Sequence, residues 1–198
     1  MKKLYAAALI VLCTVALLAG CARSPAVTFY RLTPVTQSET SVLVKPLPRV
    51  AIASVTLPEL VDRPQLVVSE AGVRVTILET KRWAEPLKSA LPRLLAENIS
   101  RSVGTDRVVA YPQNAAKDAE CRLFVDIQRF ETTGDAVTVD ALWTIRGTKE
   151  AKPVNGRSRI VEPSASHEYD AIVAAYSRAV AILSKEIALS IHTAQTKE

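Results

Sequence analysis

Few side chains in this sequence could do covalent or acid–base chemistry. There are three cysteines and two histidines in 198 residues. Neither His167 nor His192 has cysteines or an acidic cluster at ligand spacing, so no metal site is expected. No Gly-x-Ser-x-Gly, phosphate-binding glycine loop or His-Glu-x-x-His occurs, and nothing singles out a carboxylate pair. Ser166 beside His167 reads as a helix cap rather than a nucleophile with its base. The sequence therefore predicts a protein that is not an enzyme and uses no cofactor or metal. The exception in reactivity is Cys21, at the end of Leu18-Ala19-Gly20-Cys21. Lys2, Lys3 and a mostly apolar, uncharged run from Leu4 to Ala19 precede it. A basic start, an apolar middle and small residues before a cut form the layout of a secretory signal.

Leu, two small residues and Cys resemble the lipobox of bacterial lipoproteins. The resemblance implies that diacylglycerol is joined to the Cys21 thiol and that residues 1–20 are then removed. The freed amino group takes a third acyl chain, such as palmitate. Each buried methylene contributes about 0.8 kcal/mol, so three chains hold a domain on a membrane permanently. Ala22, rather than Asp, follows the cysteine; by the sorting rule of enteric bacteria this implies the outer membrane, with the domain facing the periplasm. The competing reading is an uncleaved span over Leu4 to Ala22, since roughly 18–20 residues cross a bilayer. A span has no need of Leu-Ala-Gly-Cys at its end. Both readings leave the rest of the chain outside the cytoplasm.

The formal charge of +5 falls by two when Lys2 and Lys3 leave with the signal. No basic run stands out, and nucleic acid is dismissed as a partner. Cys13 belongs to the signal and Cys21 to the lipid, so the core is expected to form without a disulfide. Cys121 leads into the apolar Leu123-Phe124-Val125 and is expected to be buried.

The expected organisation is a signal over 1–20, a tether over 21–27 and one globular domain over 28–198. Thr28–Leu32 and Val50–Val55 read as strands, the second of them central. Leu66–Val68 and Val73–Leu78 read as a hairpin, with Val73, Val75 and Ile77 facing inward. A helix starts near Ala84, with the stripe Leu87, Leu91, Leu94, Leu95 and Ile99. Pro92 predicts a kink or early break in it. Val108–Ala110 is a short strand. Arg122–Glu131 and Ala136–Thr148 alternate clearly and flank a tight turn at Thr132–Asp135. A turn is expected at Pro153–Gly156, then a strand at Ser158–Glu162. The last helix runs from about His167 to Ile191. The fold class is mixed α+β: a mainly antiparallel mixed sheet with two long helices on it.

Two segments concentrate unusual residues, Leu60-Val61-Asp62-Arg63-Pro64-Gln65 and Lys81-Arg82-Trp83-Ala84-Glu85-Pro86-Leu87. Opposite charges beside a proline suit a recognition loop. They equally suit a loop fixed by Asp62 or Glu85, with Trp83 in the core. Asp62, Arg63, Pro64, Gln65, Arg82, Trp83 and Glu85 are thus candidates for partner binding or for structure.

These segments, with Phe29-Tyr30-Arg31-Leu32, Val125-Asp126-Ile127-Gln128-Arg129-Phe130, Ala141-Leu142-Trp143 and Tyr169-Asp170-Ala171-Ile172, resemble the ABC-type transport auxiliary lipoproteins, the PqiC-like family. The motifs run in order from about Phe29 to Ile191. The resemblance implies a fold akin to the TolB N-terminal domain. It also implies a partner carrying a mammalian-cell-entry (MCE) domain, in a system that moves lipid between membranes and supports membrane integrity. It brings no catalytic residues. A homo-oligomer stays open, as do two other functions: a lipid- or ligand-binding carrier and an envelope-assembly factor.

Overall fold

The computed structural model describes residues 25–35, 47–70, 73–147 and 152–196, with Met1 and Tyr5. The rest of the expected signal, Cys21 and the first part of the tether lie outside the described residues. In chain order the elements are β1 (Thr28–Tyr30), β2 (Val50–Thr56), β3 (Gln65–Glu70), β4 (Arg74–Trp83), α1 (Leu87–Val103), β5 (Val108–Ala110), β6 (Cys121–Thr133), β7 (Ala136–Gly147), β8 (Val154–Pro163) and α2 (Tyr169–Thr196). Among the described residues no helix is long and apolar enough to cross a membrane.

All eight strands join in one sheet built around β6. Along one edge β6 pairs antiparallel with β7, which pairs antiparallel with β8. Along its other edge β6 takes two partners in tandem. Its first half runs parallel to β2 (Val50 against Cys121), and its end meets β3 (Ser69 against Thr133). The hairpin partner β4 then carries the short parallel strand β1. The long ladders are antiparallel and the parallel ones short, so the sheet is mixed.

Alternation decides which face is covered. Leu123, Val125 and Ile127 of β6 are buried, as are Val137, Val139, Ala141, Trp143 and Ile145 of β7. The register shift between Ile127 and Arg129 changes the parity, so Phe130 and Thr132 continue the buried row. One extra residue in a strand does this because side chains alternate with period two. Both helices press on that face with their apolar stripes: Leu87, Leu91, Leu94, Leu95 and Ile99 of α1, and Ile172, Tyr176, Leu183, Ile187 and Ile191 of α2. The small Ala175, Ala179 and Ala188 lie fully buried in α2, where they allow close approach to the sheet.

Four local expectations are corrected. Helix α1 runs unbroken through Pro92 to Val103. Proline removes one hydrogen bond, to Lys88, fewer than two turns from the helix start, and the buried stripe on both sides holds the helix together. Val73, Val75 and Ile77 do not face inward: all three are exposed, Val73 at 93 %. The hairpin packs on the core at its open end, through Leu66 and Trp83, while these three side chains nearer its tip stay exposed. Residues Val154–Gly156 are strand, not turn, pairing with Ile145, Thr144 and Trp143. Gly156 serves a packing purpose there, since a Cβ would stand 2.0 Å from Trp143 Cζ2. Cys121 is half-buried at the start of β6 rather than fully enclosed, although it does touch the core.

Candidate functional site

The two candidate segments come together where β1, β4, the loop after β2 and the starts of both helices meet. The loop turns on Pro58, whose carbonyl accepts from the amides of Val61 (3.0 Å) and Asp62 (3.2 Å). Val61 is buried. Asp62 pairs with Lys88 of α1. The Pro64 carbonyl accepts the Trp83 amide at 2.7 Å, and the Tyr30 carbonyl accepts the Ala84 amide at 2.7 Å. Gln65 donates to Glu79 at 3.1 Å, and Arg82 donates to the Glu79 carbonyl at 3.0 Å. Glu85 is held by Arg93. Every candidate carboxylate therefore already has a cation fixing a turn.

Trp83 lies in an aromatic knot. Its ring tilts against Phe130 at 6.3 Å and meets Tyr176 edge-on at 6.1 Å, while Phe130 and Tyr176 stack at 4.2 Å. The Tyr176 hydroxyl accepts from Thr132 Oγ1 at 2.9 Å. Burial pushes the Tyr176 pKa up, against the Thr132 hydrogen bond, which acts to lower it. A neutral phenol in an apolar knot is a packing group, not a base. The crevice between Val61, Leu66, Trp83, Phe130 and Tyr176 measures about 10 Å³, which is room for about one water.

Arg63 is half-buried, and its Nε is enclosed without a hydrogen-bond partner. Its neighbours Asp62 and Pro64 are turned to structural tasks, so the segment works as a clasp between β3, β4 and α1.

A second cavity lies beside β1. It is an open groove of about 250 Å³ between β1 and α2, lined by Phe29, Arg31, Thr33, Asp170, Val173 and Ala174 among others. Ser177 closes its floor, accepting the Thr33 amide at 3.2 Å and donating to the Val173 carbonyl at 3.0 Å.

Sequence reasoning missed the charged centre of the uncovered sheet face. Asp140 is 2 % exposed, yet it points away from the helices. Arg157 grips it with two hydrogen bonds, at 2.9 and 2.8 Å. Arg129 and Arg159 stand directly across from it on the flanking strands. The Arg157 hydrogen bonds hold the Asp140 carboxyl below the usual carboxylate range, against the opposing effect of burial. The available signal was an acid at an outward position in the best strand of the chain, with arginines at the matching positions of its neighbours.

Fold and site together define a two-layer mixed α+β domain in which the candidate residues clasp its own elements. Its described cavities are one small crevice and one open groove. A search of curated proteins finds no match. The family model for the ABC-type transport auxiliary lipoprotein component matches residues 30–188, and the chain belongs to that family. The fold resembles protein XCC0632 from Xanthomonas campestris, assigned to the DUF330 family. That match has TM-score 0.70 and 17 % identity, over 86 % of this chain and 98 % of the other. A crystal structure of an uncharacterised protein matches with TM-score 0.69 and 20 % identity, over 84 % of this chain and 99 % of the other.

Proposed function

We propose that this chain is a non-enzymatic, lipid-anchored subunit of an MCE-type intermembrane lipid transport system. Acyl chains on Cys21 fix it to the outer membrane, and the domain faces the periplasm and docks the end of a periplasm-spanning MCE-domain protein. The observation that carries this reading is the family match across the folded domain, together with an enclosed crevice among the described residues that has no room for cargo. Small-molecule sites are clefts of roughly 300–1,000 Å³, whereas the enclosed crevice here is about 10 Å³. That favours docking over a carrier with its own cavity. The docking surface is protein, and the lipid supplies location by raising the local concentration of partner.

The test is co-purification of the tagged full chain from detergent-solubilised envelope, with Cys21→Ala alongside. Recovery of an MCE-domain protein with both forms, and loss of envelope function with Cys21→Ala alone, supports the reading. Recovery of stoichiometric bound phospholipid without any MCE-domain protein overturns it in favour of the carrier.

A further inference from the structure

Phe29 is 62 % exposed and Val27 is 42 % exposed, two apolar side chains presented to solvent at the very start of the domain. Phe29 belongs to the three-residue strand β1, whose neighbour Tyr30 is buried in the core. The groove beside Phe29 places Arg31 on its β1 side and Asp170 on its α2 side. Among the described residues no ion pair holds either charge. Lys81, whose Nζ donates to Thr28 Oγ1 at 3.2 Å, adds a cation at the same edge.

The length of chain before this edge says what covers it. Eight residues lead from Cys21 to Phe29. Fully extended at about 3.3–3.6 Å each, they reach no more than about 29 Å. A domain of this size is about 40 Å across. With Cys21 acylated, β1 therefore cannot lie on the far side of the domain from the membrane, and its exposed side chains are within reach of lipid. Exposed aromatic and aliphatic groups beside cations suit the interfacial layer, where apolar bodies enter and charged ends stay at the headgroups.

We propose that the β1 edge is the face this domain lays against a phospholipid surface. Phe29 and Val27 enter the interfacial layer, Arg31 meets headgroup phosphate, and Asp170 across the groove meets the ammonium of a zwitterionic headgroup. The proposal rests on lipid attachment at Cys21 and goes beyond it, because an anchor alone sets no orientation. The contact leaves the β3–β4 hairpin tip and the outer sheet face available to protein.

The test uses the full acylated chain in vesicles of phosphatidylethanolamine and phosphatidylglycerol, with Cys121→Ser as background. A nitroxide is placed at Phe29→Cys, and in a separate protein at Val161→Cys on the outer sheet face. The expected result is that the label at 29 collides with oxygen and is shielded several-fold from a water-soluble nickel complex, while the label at 161 stays open to nickel. Arg31→Glu should return the label at 29 toward water without changing the unfolding temperature. Equal nickel access at 29 and 161 in a protein whose mass shows acylation overturns the orientation and leaves the anchor standing. A mass without acyl chains overturns the anchor, and the orientation falls with it.

Discussion

Asp140 shows what one buried charge does in this domain. Its folded pKa is depressed, so its stabilising contribution is fully present above the unfolded carboxylate value near 3.9 and is lost as pH falls through the lower folded value. Asp140→Asn should therefore lower the unfolding temperature at pH 7 by several degrees, given about 2–4 °C per kcal/mol for a chain this size. The gap between variant and wild type should narrow as pH falls below the unfolded carboxylate value and close once the wild-type carboxyl protonates at its lower folded value. Calorimetry across pH 2–7 measures both. If the gap persists undiminished at pH 2, packing rather than charge is at stake. Arg63 makes a second case. Its Nε is enclosed, so Arg63→Glu should lower thermal stability along with any binding, and a variant that binds less while melting unchanged would place Arg63 at a contact instead. Asp62 and Arg63 stood out in the sequence for their charge beside proline. What the sequence withheld was that Lys88, 26 residues on, takes up Asp62.

At the level of elements, the period of the apolar residues was a good guide and the punctuation a poor one. The β6–β7 hairpin and both helical stripes follow from alternation and 3.6-residue spacing because each buries one face against the other layer. Proline and glycine misled where tertiary packing overrode them. Pro92 sits inside an unbroken helix; Pro92→Ala should restore the bond to Lys88 and stabilise the domain by up to about 3 kcal/mol, read by urea unfolding. Gly156 looked like a turn, whereas its lack of a side chain makes room for the Trp143 ring, whose Nε1 donates to Ser158 at 3.1 Å. Gly156→Ala should cost about 1–3 kcal/mol by overpacking and shift tryptophan emission as that ring moves. A silent spectrum with unchanged stability would mean the strand backs away instead. The hairpin of Val73, Val75 and Ile77 alternates as a half-buried strand does, but alternation states only that two faces differ, and not that a layer lies over the apolar one.

For the whole molecule, the two-layer α+β architecture was legible because every strong periodic segment belongs to it. The functional surfaces were less so, since a docking face is defined by what the fold leaves uncovered. The two charged, proline-flanked segments that stood out in the sequence turned out to clasp the fold's own elements, and the exposed residues of β1 lie beside them. One feature of the sheet bears on how such a protein reaches its place. Neither of the first two strands has a neighbour close behind it in the chain. Thr28 waits for Lys81, and Val50 waits for Val108 and then Cys121. Distant pairings form slowly, on the scale of milliseconds to seconds. If the chain is exported as the proposed lipid anchor requires, it gains from that delay, because its leading third has nothing to fold against while it is threaded unfolded through the membrane.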